Sequence, residues 1–95
     1  MNVKTIAIVI PSYNGRHLLE KNLANIVAAA DHARETVETM VIDDASRDDT
    51  VPWLRLNFPK VRIICQETRQ GFIRSINRGV RECATDLVML MNNDV

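Results

Sequence analysis

The chain has no surplus of charge: twelve basic and twelve acidic side chains cancel at pH 7. That removes the chain-wide positive field expected of a nucleic-acid binder, while leaving room for a local basic patch. Cysteine is scarce. Cys65 and Cys83 stand 18 residues apart without a second pair, so no metal-ligand spacing is present. Both read as reduced residues of the core, which fits a reducing cytoplasm. No basic stretch followed by a long apolar one opens the chain, so no signal peptide is visible. No apolar segment is long enough to span a bilayer. The expectation is a cytoplasmic protein with no nucleic-acid partner and no membrane segment in this stretch. Glycine is rare too. The loop around Gly71 carries one glycine only, so it is neither a G-x-G-x-x-G fingerprint nor a P-loop. There is no G-x-S-x-G and no Ser/His/Asp or Cys/His constellation, which sets hydrolase readings aside. His17 and His32 have no partner at ligand spacing and read as surface residues. Repeats, low-complexity tracts and domain linkers are absent.

What is present is a foldable composition, 46% hydrophobic and 25% charged. Ninety-five residues make one domain at most, or part of one, with little stability to spare. Ile6-Ala7-Ile8-Val9-Ile10 is a continuous apolar run ended by Pro11. It predicts a strand buried on both faces. Ser12-Tyr13-Asn14-Gly15 is a loop. From Arg16 to about Ala30, Leu18, Leu19, Leu23, Ile26 and Val27 recur at helical spacing. Thr39 to Ile42 is the second strand, and Asp43 to Asp49 a polar loop containing Ser46. A short helix follows, with Asp48 or Asp49 as its cap, Pro52 in its first turn and Pro59 beyond its end. Its apolar face is Val51, Leu54 and Phe58, with Trp53 packing alongside. Val61 to Cys65 is the third strand. Gly71 opens a third helix running to about Ala84, whose expected buried stripe is Ile73, Ile76, Val80 and Cys83. Arg78 and Arg81 read as its solvated face. Asp86 to Met91 is the fourth strand.

The order is βαβαβαβ. Alternating strands and helices with apolar strands predict a three-layer α/β/α fold around a parallel four-stranded sheet. The expected strand order is 3-2-1-4. Right-handed crossovers place all C-terminal strand ends on one edge. Ligands bind at that edge where the strand order reverses, here between strands 1 and 4. Four polar segments gather there: Ser12 to Gly15, Asp43 to Ser46, Gln66 to Gly71, and Asn92 to Asp94.

A carboxylate at a strand end can accept hydrogen bonds from a base N–H or from ribose hydroxyls, which singles out Asp44 and then Asp43. The plainer alternative is that one of them caps the following loop while the other is solvated. Asn92-Asn93-Asp94 offers oxygen ligands to a hard cation beside a diphosphate, or is simply an Asn-rich turn. Tyr13 can stack on a base with its hydroxyl wet, or be an ordinary loop aromatic. Arg69 and Arg74 flank the Gly71 turn, where backbone N–H groups and an arginine can meet phosphate.

Four segments in order carry a resemblance: Ile8-Val9-Ile10-Pro11-Ser12-Tyr13-Asn14, Val41-Ile42-Asp43-Asp44-Ala45-Ser46, Gly71-Phe72 with Asn77-Arg78-Gly79, and Leu90-Met91-Asn92-Asn93-Asp94. Together they resemble family 2 glycosyltransferases of the GT-A fold, whose N-terminal half is Rossmann-like, over nearly the whole chain. The resemblance implies the nucleotide-sugar-binding part of an inverting transferase that moves a sugar from a UDP- or dTDP-sugar to an acceptor hydroxyl in glycan or polysaccharide synthesis. Tyr13 would stack on the base, Asp44 recognise it, and Asn93 lie near the ribose. The nucleotide set is then Pro11, Ser12, Tyr13, Asn14, Asp43, Asp44, Arg69, Gly71, Arg74 and Asn93. Asp94, with Asn92, would bind Mn²⁺ or Mg²⁺ weakly on the diphosphate. The chain departs from the family pattern twice: Asn92 opens the D-x-D-like motif, and Arg69 stands where Asn is frequent.

The acceptor half of such enzymes supplies the general base, which must reach the acceptor hydroxyl. Residues 1–95 read as one partial domain without that half, so catalytic residues are unassigned and the fragment alone is expected to be inactive. The alternative is a non-catalytic fragment that dimerises through an exposed fourth strand. A response-regulator-like domain would carry its acidic pair after strand 1, where Ser12-Tyr13-Asn14 stands instead.

Overall fold

The computed structural model describes residues 4–93. The elements run β1 (Thr5–Ser12), α1 (Arg16–His32), β2 (Thr36–Asp44), α2 (Thr50–Asn57), β3 (Arg62–Gln66), α3 (Phe72–Glu82) and β4 (Leu87–Leu90). All three strand pairings are parallel, and the sheet order is β3-β2-β1-β4. This is the expected α/β architecture and strand order. Register aligns Ser12 with Asp43 and Asp44 with Gln66, so the polar ends of β1, β2 and β3 finish together.

Alternate strand residues point to opposite faces. Ile8, Ile10 and Val41 face α1 and α2, where Leu19, Leu23, Ile26 and Leu54 complete one core. Val9, Met40, Ile42 and Ile64 form the other. The central strands are sealed on both sides, which is why they read as unbroken apolar runs. Trp53 and Phe58 pack against the first core with ring centroids 5.7 Å apart.

Helix α3 corrects the expected stripe. Ile73 is 68% exposed and Val80 43%, while Ser75 and Gly79 are buried. The helix lies so close to the sheet that a Cβ on Gly79 would sit 2.5 Å from Val9 Cγ1 and 3.1 Å from Ile42 Cγ1. Only small residues fit that line of approach; Ile73 and Val80 are turned outward, while Ile76 stays half-buried. Cys65 is a second correction: it is exposed, because β3 is an edge strand. Cys83 is half-buried and packs on the second core. Burial and the nearby Glu38 carboxylate push its thiol pKa up, which favours the protonated thiol over the reactive thiolate. Strand β2 begins at Thr36 and reaches Asp44, so both aspartates belong to the strand rather than to the loop. Among the described residues no helix is long and apolar enough to cross a membrane.

Candidate functional site

Two polar clefts open near the strand ends. One, of about 570 Å³, lies between β3 and α3 and takes Arg74, Asn77, Arg78 and Arg81. The other, of about 340 Å³, is lined by Pro11, Ser12, Tyr13, Asp44, Arg69 and Asn93, among others. The smaller one sits beside the β1–β4 reversal, where open α/β sheets bind ligands. It unites most of the residues singled out from the sequence. Asn14, Asp43 and Gly71 do not line it, and Arg74 belongs to the larger cleft, with its Nη1 3.4 Å from Gln70 Oε1.

Asp44 is the centre of the smaller cleft. It is buried to 4% exposure, and a buried carboxylate needs partners. Oδ1 accepts from Gln66 Nε2 at 3.0 Å and from the Gln70 N–H at 2.7 Å. Oδ2 accepts from the Gly71 N–H at 2.9 Å and from Arg69 Nε at 3.3 Å. Burial works to raise this carboxyl's pKa. The Gln70 and Gly71 N–H groups, then Arg69, outweigh it and hold the group below its ordinary value. Gly71 adopts φ 89°, a conformation that favours glycine, and this aims its N–H at the carboxylate. Gln66 Nε2 also donates to Ser75 Oγ at 2.9 Å, tying Asp44 to the buried face of α3. Gln66, Gln70 and Ser75 are site residues that the sequence reading missed.

Asp43 does the plainer job. Its Oδ2 accepts the Ser46 N–H at 3.0 Å, and its Oδ1 accepts the Ser46 hydroxyl at 2.5 Å. This closes the loop after β2. Asn14 does similar work. Its N–H donates to Ser46 Oγ at 2.8 Å, and its Oδ1 accepts the Arg47 N–H at 2.8 Å. Neither residue lines the cleft. Asn14 and Ala45 both have positive φ, 48° and 59°. The two loops beside the cleft thus carry the strain of non-glycine left-handed residues, which clusters at functional sites.

Tyr13 is 38% exposed, and the Arg69 guanidinium lies 3.5 Å from its ring centroid. Asn93 Nδ2 donates to Ser12 Oγ at 3.2 Å. Gly15 packs beneath that bond, where a Cβ would fall against Ser12 Oγ and 2.5 Å from Asn93 Nδ2. Asn92 is exposed at the cleft wall, and Asp94 lies outside the described residues. No group of three His, Cys, Asp or Glu side chains is placed to hold a metal among the described residues. Asp43 and Asp44 are committed to protein donors, so the described residues do not by themselves form a cation site.

The arrangement offers an aromatic face, a hydrogen-bonding carboxylate and two amides around one polar hollow. That set suits a planar, hydrogen-bonding ligand such as a nucleoside. Comparison with known proteins narrows the reading. The family described as "Glycosyl transferase family 2" matches residues 7–95. An undecaprenyl-phosphate 4-deoxy-4-formamido-L-arabinose transferase of Pseudomonas savastanoi pv. phaseolicola is 33% identical across 98% of this chain and 29% of its own length. A dolichol-phosphate mannosyltransferase of Pyrococcus furiosus is 29% identical across 95% of this chain and 26% of its own. The chain therefore spans less than a third of these relatives. A mannosyltransferase from Pyrobaculum calidifontis, solved with GDP-Man and Mn²⁺, superposes with a TM-score of 0.80 at 25% identity, over 99% of this chain and 28% of that one. S. aureus TarS 1-349 with UDP-GlcNAc reaches 0.81 at 22% identity, over 95% of this chain and 26% of that one, and shares the fold. With sheet order, strand-end motifs and sequence profile in agreement, the chain belongs to glycosyl transferase family 2, within the GT-A fold.

Proposed function

We infer that this chain is the donor-binding part of an inverting glycosyltransferase that uses a UDP- or dTDP-sugar. The observation that carries this reading is the meeting of the Tyr13 ring and the Asp44 carboxylate in one cleft at the strand-order reversal. The solved relatives with GDP-Man and with UDP-GlcNAc support a nucleotide-sugar ligand of this general class. Tyr13 offers its face to the base and Asp44 its carboxylate to a base N–H, while Ser12 and Asn93 stand on the ribose side. Asp94, with Asn92 as a weaker partner, is assigned to Mn²⁺ or Mg²⁺ on the diphosphate, where the cation would neutralise the leaving group's charge.

In the whole reaction an acceptor hydroxyl attacks the anomeric carbon, and the bond to the diphosphate breaks with inversion. The hydroxyl proton needs a base, and no described residue is assigned to it. The chain by itself is therefore expected to bind donor without transferring sugar. The setting we propose is cytoplasmic glycan or polysaccharide synthesis. Calorimetry with UDP and dTDP, each with and without Mn²⁺, tests the binding claim. Binding in the millimolar range or tighter is expected, and Tyr13→Ala should weaken it by about tenfold through lost base stacking. No heat at millimolar nucleotide, or a Tyr13→Ala variant that binds as well as the native chain, would contradict the reading.

A second reading rests on β4. Leu87, Val88, Met89 and Leu90 are 36–52% exposed, and among the described residues the outer edge of β4 pairs with no strand. Unpaired apolar edges promote association, so two copies are proposed to pair through β4. Sedimentation should show a dimer that Leu90→Lys dissociates. A monomer at high concentration would refute this second reading and leave the donor reading intact.

A further inference from the structure

An ionised carboxylate has about four lone-pair sites, and four donors already occupy Asp44 in the ligand-free chain. A base N–H that reads Asp44 must therefore replace one of them. The Gln70 and Gly71 donors are backbone groups held by the turn into α3. Gln66 is buried and shared with Ser75. Arg69 is different. Its side chain is 54% exposed, and its 3.3 Å bond is the longest of the four. The same guanidinium lies 3.5 Å from the Tyr13 ring centroid, over an aromatic face of the cleft. One side chain thus obstructs both contacts that a base would make.

We propose that Arg69 is a latch over the base subsite, which must swing out of the Tyr13–Asp44 cleft before a nucleotide base can enter. The inference rests on the nucleotide reading above and adds a conformational step to it. Opening leaves no buried group stranded. Asp44 keeps three donors, the Tyr13 ring already borders solvent, and the guanidinium is free to enter water. The latched guanidinium covers a face of the Tyr13 ring, so the measured affinity is the intrinsic affinity reduced by the fraction of molecules that stand open. The latch also makes Arg69 selective. Small molecules that do not engage both Tyr13 and Asp44 gain too little to displace it.

The test uses uridine, which has the base and ribose but no phosphate for a displaced arginine to meet. Tyr13 is the chain's single tyrosine, so its ring resonances report binding at this cleft without ambiguity. Arg69→Ala is expected to bind uridine about three- to thirty-fold more tightly than the native chain, the range set by one cation–π contact and one ion-paired hydrogen bond. Arg69→Gln, which removes the cation but keeps much of the side chain's length, should move in the same direction. It also serves if the alanine variant folds poorly. Uridine binding that is equal or weaker in both folded variants would overturn the latch. UDP distinguishes failure of the latch from failure of nucleotide binding. If UDP perturbs Tyr13 in the native chain and uridine does not tighten in the variants, the latch alone falls. If neither UDP nor uridine perturbs Tyr13 in any of the three proteins, the nucleotide reading falls and the latch falls with it.

Discussion

Asp44→Ala should destabilise the chain by about 2–4 kcal/mol, before any effect on ligand binding is considered. The substitution strands the Gln70 and Gly71 N–H groups and one of the two N–H groups of the Gln66 amide, the other still donating to Ser75 Oγ. Each donor left without an acceptor costs about 1–3 kcal/mol when it stays buried. The adjoining cleft admits water to some of them, so the sum falls short of three full penalties. Against a total of roughly 5–14 kcal/mol for a chain of this length, the loss is large. Thermal unfolding should show it as a fall of about 10–25 °C in Tm. The pH dependence gives the change a signature. The folded Asp44 carboxyl is held below its ordinary value of 3.8, so the folded state binds its proton more weakly than the unfolded chain does. Its stabilising contribution is complete above about pH 4 and is lost as the pH falls through the lower, folded-state value. The native chain and Asp44→Ala should therefore differ most near neutrality and converge on acidification. A constant gap down to pH 2 would show that the carboxylate's charge is not what holds the loop.

This result bears on how site variants are read. A loss of nucleotide binding in Asp44→Ala mixes a missing base contact with a collapsed loop between β3 and α3. Tyr13→Ala is the cleaner probe, because the Tyr13 ring is more than a third exposed and carries no part of the core.

Gly79→Val should cost more still, about 3 kcal/mol or above. A bare Cβ there meets Val9 Cγ1 at 2.5 Å, with two Ile42 carbons at 3.1 and 3.2 Å. Overpacking a filled core costs about 1–3 kcal/mol for added methylenes, and valine adds two methyl groups beyond that Cβ. Gly79→Ala tests the balance more gently. Helix propensity returns up to about 1 kcal/mol for replacing a helical glycine, so its net loss should be near 1–2 kcal/mol. Either change pushes α3 off the sheet, and α3 carries Ser75, which shares Gln66 with Asp44. The Gly79 and Asp44 variants should therefore be non-additive in a double-mutant cycle, by about 0.5 kcal/mol or more. Chemical denaturation of the single and double variants measures this directly. Strict additivity would mean that helix position and carboxylate loop are independent.

The strands were legible because their burial on both faces leaves unbroken apolar runs, as in Ile6 to Ile10 and Met40 to Ile42. Right-handed crossovers put the C-terminal strand ends on one edge, the expected order 3-2-1-4 is the one found, and the polar strand ends pointed to the cleft. What was not legible was anything set by distance rather than by polarity. Hydrophobic periodicity selected Ile73 and Val80 for the buried face of α3. The closest approach instead demanded Ser75 and Gly79, whose small side chains give no hydrophobic signal. Their four-residue spacing was the one available clue. Cys65 misled because an edge strand covers its residues unevenly. Gln66, at the end of β3, looked like ordinary loop polarity until register placed it beside Asp44. The contact between Arg69 and Tyr13 joins residues far apart in the chain, and no local pattern announces it. The sequence ranked Asp44 ahead of Asp43 but gave no partner for either; the folded chain supplies them, with Asp43 closing a loop and Asp44 lying in the cleft.

The most direct measurement is where a nucleotide base sits. Intermolecular nuclear Overhauser effects between the base protons of bound UDP and the protein would locate it. Contacts from those protons to the Tyr13 ring are expected. Contacts to Arg74, Asn77 or Arg81 in the larger cleft, with none to Tyr13, would contradict this placement of the base.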